Sequence, residues 1–236
     1  MKSFYILIYS SIILSACFDI QKGRPFQHIA PDAWRGVFVT DATTAERAPV
    51  LFEVKSDEKG MPTKLVFDNG LSQTETDSLR FWGDTLFAYF NKSKTYLRVI
   101  YEINLMEGKL IFEDEKEYPL VFQAQSGKFP RFPDVRREPV ADISGLWQAD
   151  FAQQGIDSMQ VLQLQLQQKQ NTVQAALNIN NTTAHLVGNI QGNQLYLSGF
   201  DGAKVYFLSA LVQNDKSLTR GKLAINLQKY VFNATK

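Results

Sequence analysis

The segment "VLQLQLQQ", Val161 to Gln168, alternates apolar and polar side chains without a break. Side chains alternate faces along a strand, so Leu162, Leu164 and Leu166 face a core. Gln163, Gln165 and Gln167 face water or a wet lumen. Shorter runs of the same kind recur between turn signals: "PVLFEVKSD", "TKLVFDNG", "TLFAYFN", "TYLRVIYEI", "GKLIFED" and "YPLVFQAQ". Helical periodicity is hard to find beyond the first residues. Regularly spaced short strands predict an all-β meander, sandwich or barrel.

The runs repeat in order. "WRGVFVTD" opens one half at Trp34, and "GLWQADFAQ" opens the other around Trp147. "VLFEVKSDEKG" matches "VLQLQLQQKQN", and "TKLVFDNG" matches "TVQAALNINN". "SLRFWGDTLFAYF" matches "HLVGNIQGNQLYLSGF", each with a tight turn at Gly-Asp or Gly-Asn. "KTYLRVIYEI" matches "AKVYFLSALV", "GKLIFED" matches "GKLAINL", and "EYPLVFQAQ" matches "QKYVFNATK". The layout predicts a duplication with about eight strands per copy, each copy of roughly domain size. Between the copies lies "SGKFPRFPDVRREPVAD". Its prolines lack the donor a central strand needs, so residues 126–141 read as a solvated linker. Lys128, Arg131, Arg136 and Arg137 form a basic cluster within it. The expectation is two tandem up-and-down meanders, residues 33–125 and 142–236, curled into lipocalin-like barrels or half-barrels.

The first residues, Met1-Lys2 followed by a short apolar run and small residues, read as an export signal over residues 1–16. The run is too short to span a bilayer comfortably. It ends in "LSAC", and Cys17 is the single cysteine of the chain. "LSAC" resembles the lipobox of bacterial lipoproteins, which implies that Cys17 becomes the acylated first residue and anchors the protein to the membrane. Phe18 stands where aspartate resembles an inner-membrane retention signal, so the outer membrane is expected, on its periplasmic or surface face. Residues 17–32, polar with Gly23 and Pro25, read as a tether.

Loss of Lys2 with the leader brings the 25 basic side chains level with the 24 acidic ones. Nucleic-acid binders need a basic face, so a nucleic-acid partner is not expected. With Cys17 consumed by lipid no disulfide is available, and stability must come from the core. A composition 44% hydrophobic is ample for one.

"ISGLWQADF", then "GNQLYLSGFDGAKVYFLSALV", then "LTRGKLAI" resemble the N-terminal region of TlpA-like thioredoxin lipoproteins, over about Trp34 to Lys236. In that family a duplicated β region precedes a thioredoxin-like domain bearing Cys-x-x-Cys. No Cys-x-x-Cys occurs here, and thiol–disulfide exchange needs an attacking thiolate and a resolving thiol. The resemblance therefore implies the non-catalytic portion of the family. The function expected is a binding or spacer module of the envelope, not an enzyme. The alternative is a subunit, or truncated form, of a thiol–disulfide oxidoreductase whose thioredoxin domain is encoded separately. Gly145-Leu146-Trp147 also resembles the Gly-x-Trp that opens calycin (lipocalin-type) barrels, and Ala33-Trp34 occupies the equivalent place in the first copy.

No cofactor or metal is expected. His28 and His185 stand alone, without zinc-ligand spacing. "FEDEKEY" groups Glu113, Asp114, Glu115 and Glu117 at a solvated turn, and Asp201-Gly202 reads as a hairpin turn. Asp77-Ser78-Leu79, Asp84-Thr85-Leu86 and Asp157-Ser158-Met159 resemble a bacterial O-glycosylation signal. Aromatics gather around two matching hairpins: Trp82, Phe87, Tyr89 and Phe90, and Tyr196, Phe200, Tyr206 and Phe207. Bulky interior candidates (Phe67, Phe81, Phe87, Phe112) mark the first copy; Ala175, Ala176, Ser198 and Gly199 mark the second. A cavity for a small apolar or sugar-like ligand is therefore expected inside the second meander, lined by Tyr196, Phe200 and Tyr206 and floored by Trp147. An envelope protein is the other partner considered.

Overall fold

A computed structural model describes residues 28–41, 43–44, 46–113, 118–133, 137–153, 159–179 and 182–236. Cys17, the leader, most of the tether, Asp114, Glu115, Glu117, Arg136, Asp157 and Ser158 lie outside the described residues. The chain is nearly all β, as the alternation predicts. One short 3-10 turn, Asn91–Ser93, interrupts the strands.

The first unit contains β1 (Asp32–Asp41), β2 (Glu46–Ser56), β3 (Pro62–Asp68), β4 (Gln73–Glu75), β5 (Ser78–Trp82), β6 (Thr85–Phe90), β7 (Thr95–Tyr101), β8 (Leu105–Phe112) and β9 (Leu120–Ser126). They form one curled sheet, a half-barrel, in the order β4-β3-β2-β1-β9-β8-β7-β6-β5. Its edges, β4 and β5, are consecutive pieces of one interrupted strand. At the break the Thr76 N–H still donates to the Leu65 carbonyl of β3 (3.0 Å), and the Asp77 N–H to the Tyr89 carbonyl of β6 (2.8 Å). The Thr76 hydroxyl accepts the Leu65 N–H at 3.0 Å, where a ladder carbonyl would otherwise stand. A side chain intruding into the ladder ends regular pairing there.

The second unit contains β10 (Gly145–Gln153), β11 (Met159–Lys169), β12 (Thr172–Ile179), β13 (Thr182–Gln191), β14 (Gln194–Phe200), β15 (Val205–Asn214), β16 (Ser217–Ile225) and β17 (Gln228–Thr235). These eight close into an antiparallel barrel, with β10 pairing β17. Closure removes the edges that would otherwise offer unpaired backbone groups.

The two units correspond strand for strand. Phe38 faces Phe122 across β1 and β9, as Phe151 faces Phe232 across β10 and β17. Gly108 faces Phe122, as Gly221 faces Phe232. A Cβ on Gly221 would lie 2.5 Å from the Phe232 ring, and one on Gly108 would lie 2.0 Å from the Arg98 carbonyl oxygen. Glycine is needed at both for close approach. Trp34 and Trp147 are both buried and use their polar atom in the same way. Each indole N–H donates at 2.8 Å to the carbonyl four residues earlier, Ala30 and Ile143 respectively. A buried indole needs such an acceptor.

That bond corrects the expected tether. Ile29 is buried in the core of the half-barrel, and the Ala30 N–H donates to the Ile103 carbonyl at 2.7 Å. Ordered structure thus begins before the boundary read from composition. The solvated linker is corrected too, because Arg131 and Phe132 are both buried.

The barrel packs against the half-barrel through β14 and β15, which meet β1 and β2. Phe200 has no exposed surface, and its ring centroid lies 5.1, 5.0 and 5.1 Å from those of Phe38, Phe67 and Phe90. Asn69 pairs with the Phe200 backbone through its amide: Nδ2 donates to the carbonyl, and Oδ1 accepts the N–H, both at 2.9 Å. The Lys229 ammonium pairs with Asp41, and the Thr95 hydroxyl donates to the Gly202 carbonyl.

Candidate functional site

The sequence-predicted pocket residues do not meet in one cavity. Trp147 and Tyr206 belong to the core of the barrel. Phe200 belongs to the core of the half-barrel, and Tyr196 packs against that same core from outside its own barrel. The reason is strand parity. Leu195 and Leu197 point into the barrel, so Tyr196, Ser198 and Phe200 point out of it, toward the first unit. The barrel interior is also filled. Leu164, Leu166, Val173, Ala175, Leu177, Leu186, Leu195, Leu197, Leu208 and Leu218 have no accessible surface, so no water-sized void touches them. Large leucines on most strands compensate for the alanines that suggested a cavity.

Tyr206 spends its polar atom locally, donating to Asp201 Oδ2 at 2.8 Å. Burial first, and Asp201 second, push its pKa well above the usual phenol range. Asp201 Oδ1 accepts the backbone N–H groups of Ala203 (2.8 Å) and Lys204 (2.7 Å), so this acid builds a turn. In the first unit Phe90 is core. Phe87, Tyr89 and Tyr96 lie on the outer wall with fully projecting Trp82, and Arg80 sits over the Tyr89 ring. Among the described residues no three His, Cys, Asp or Glu side chains converge on a metal position.

A cleft does form between the units, where the sequence offered no pattern to find it. Its floor is the outer face of β1 and β2, carrying Arg35, Val37, Arg47 and Pro49. The opposite wall is Gln191, Asn193 and Gln194 at the β13–β14 turn, with Tyr196 and Phe207. Phe132, Pro133 and Arg137 of the linker close the third side. The volume is about 620 Å³ and the cleft is half-open. That lies within the range of small-molecule sites, which favour junctions between units. Phe132 stacks on Tyr196, with centroids 5.8 Å apart at 29°. A smaller cavity of about 420 Å³ lies across the linker and shares Arg35, Val37 and Pro133.

The linker is held on both sides. The buried Arg131 guanidinium donates through Nη1 to the Pro49 carbonyl and the Ser198 hydroxyl (3.3 Å each), and through Nη2 to the Asp68 carbonyl (2.5 Å). Burial lowers its pKa, and Asp68 at 3.7 Å opposes that shift. The Arg137 carbonyl accepts the Asn171 side-chain amide (2.9 Å) and the Gly192 N–H (3.3 Å). Arg35 reaches the linker from the floor: Nε donates to the carbonyls of Pro130 (3.1 Å) and Arg131 (3.3 Å), and Nη2 to that of Arg131 (3.1 Å). The sequence grouped Lys128, Arg131, Arg136 and Arg137 as one basic cluster; of these, Arg131 is buried and Arg137 lines the cleft. Arg35 and Arg47 sit on the paired neighbouring strands β1 and β2, and antiparallel pairing puts both on the face that meets the cleft.

The fold and site define a tandem β-meander protein with a cleft at the junction of its units. No family model matches the chain, and no curated protein matches it. Among solved structures, it is similar to a protein of unknown function of the DUF3598 family from Nostoc punctiforme. That likeness has 10% identity and a TM-score of 0.29, and it covers 87% of this chain and 96% of that one. It is also similar to kievitone hydratase from Nectria haematococca, with 12% identity, a TM-score of 0.20, and coverage of 86% and 88%. Similarity of this order passes neither fold nor function to this chain, and the TlpA-like and calycin resemblances gain no support from it.

Proposed function

We propose that this chain is a non-catalytic binding module of the bacterial envelope, lipid-anchored at Cys17, that holds a small ligand in the cleft between its two β units. One observation carries the binding reading: a half-open cleft of about 620 Å³ whose three walls come from the half-barrel, the barrel and the linker. Buried Arg131 ties the linker to Pro49 of the half-barrel and Ser198 of the barrel, which favours a cleft formed before a ligand arrives. The anchor rests on the leader and the "LSAC" sequence. Of the pocket residues expected from sequence, Tyr196 lines this cleft. A ligand-observed NMR screen with compounds of varied charge, followed by amide-shift mapping, tests the binding reading. Hits that shift Val37, Phe132 and Tyr196 support it. A screen with no hits, or with hits that shift only residues remote from the cleft, refutes it.

A further inference from the structure

What the cleft takes follows from its charges. Arg35, Arg47 and Arg137 border it, and no described lining residue carries a carboxylate. None of the three guanidiniums has an ion-pair partner among the described residues. Asp68 pairs with Arg131 and Asp41 with Lys229, and Glu107, which lines the adjoining smaller cavity, accepts from the Gln123 side chain. Like charges gathered without counter-charge repel one another. At Arg35, burial first and the neighbouring Arg47 second push the pKa below its usual value.

The head of Arg35 is also fixed. Its Nε and Nη2 are held by the linker carbonyls, which leaves Nη1 without a protein acceptor among the described residues. Arg47 and Arg137 are exposed, and neither side chain makes a hydrogen bond among the described residues. The planar guanidinium fork suits carboxylate and phosphate oxygens. Tyr196 and Phe207 stand opposite Arg35 and Arg47, Phe132 lies beside Arg137 on the linker, and the three rings offer apolar area for a flat body.

We propose that the cleft binds a small organic anion, a carboxylate or phosphate carried on a flat apolar body. Arg35, Arg47 and Arg137 take the charge, and the three rings take the body. The assignment rests on the binding-module reading and adds the class of ligand to it. A long polyanion is not the fit, because the cleft is bounded on three sides and the chain as a whole is close to neutral.

The test is isothermal titration of the full-length protein with a matched pair, 1-naphthoate and its neutral analogue 1-naphthamide, with inorganic phosphate as a third arm. Amide shifts at Phe132 and Tyr196 locate binding. Naphthoate is expected to bind at least about tenfold more tightly than naphthamide, since a charge-assisted contact is worth about a tenfold factor or more. Added salt weakens naphthoate alone. Arg47→Gln and Arg137→Gln each weaken naphthoate by about tenfold and leave naphthamide unchanged. Both variants remove exposed heads on which the fold does not depend, and an unchanged amide spectrum outside the cleft verifies this. Phosphate binding with the same response to both variants places the recognition in the anion itself. Equal binding of acid and amide in the cleft overturns the anion assignment and leaves the binding module standing. Naphthoate binding that ignores both variants overturns it as well. If neither compound shifts the cleft and phosphate is silent too, the assignment also falls.

Discussion

Replacing Phe200 by alanine tests how the two units are joined. The residue lies on β14 of the barrel, yet its ring fills the mouth of the half-barrel between Phe38, Phe67 and Phe90, with no exposed surface. Phe→Ala at a fully buried site costs about 3–5 kcal/mol. The three surrounding rings project from β1, β3 and β6, whose ladders hold them apart, so they cannot collapse into the space. A loss in the upper part of the range is expected, about 4–5 kcal/mol. The assay is denaturant unfolding followed by tryptophan fluorescence. Trp34 reports on the half-barrel and Trp147 on the barrel, each isolated by Trp→Phe at the other position in a Trp82→Phe background. The variant is expected to lower the midpoint reported by Trp34 more than that reported by Trp147. A loss below about 1 kcal/mol, or one confined to the Trp147 signal, would show that Phe200 belongs energetically to its own barrel and would refute the reasoning.

The Asp41 carboxyl is held well below the usual carboxylate range, first by Lys229 and then by the Thr43 and Thr44 hydroxyls and the Thr43 N–H. A depressed folded-state pKa stabilises fully above the unfolded value of about 4, and the contribution is lost as pH falls below it. Thermal melts between about pH 5 and pH 2 should therefore show a steeper acid decline for the native chain than for Asp41→Asn, and parallel declines would refute the linkage. For the anchor, intact-mass measurement of the product from a Gram-negative host should show acylation at Cys17, and Cys17→Ala should release the protein from the membrane fraction. A native product with a free thiol would contradict this.

Alternation alone was enough to read the strands and their pairing order. The leucines of β11 face the core and Gln163 and Gln167 face water, as their period requires. The duplication was legible because turns and small residues recur in step, down to Gly108 and Gly221 opposite equivalent phenylalanines. The site was not legible. "QLYLSGF" is buried on both faces from Leu197 to Phe200, because one face meets its own barrel and the other meets the neighbouring unit. Nothing local distinguishes that from a strand lining a cavity. The linker failed for a related reason: prolines exclude a strand, but they do not exclude burial of Arg131 once its donors find the Pro49 and Asp68 carbonyls of the half-barrel and the Ser198 hydroxyl of the barrel. Arg35 and Arg47 share a face of the β1–β2 hairpin, but the approach of Arg137 to them comes only from the docking of the linker, of which sequence spacing carries no trace.

The plug made by Phe200 sets an order of events during synthesis. The strands of the half-barrel emerge first, and β1 can pair β9 as soon as residue 126 is available. The ring that fills its mouth follows only when β14 is made, and β14 is itself held in a barrel that cannot close until β17 reaches β10. Until then the half-barrel stands with Phe38, Phe67 and Phe90 uncovered. A chain stopped before β14 is made would therefore leave Phe38, Phe67 and Phe90 without the ring that covers them.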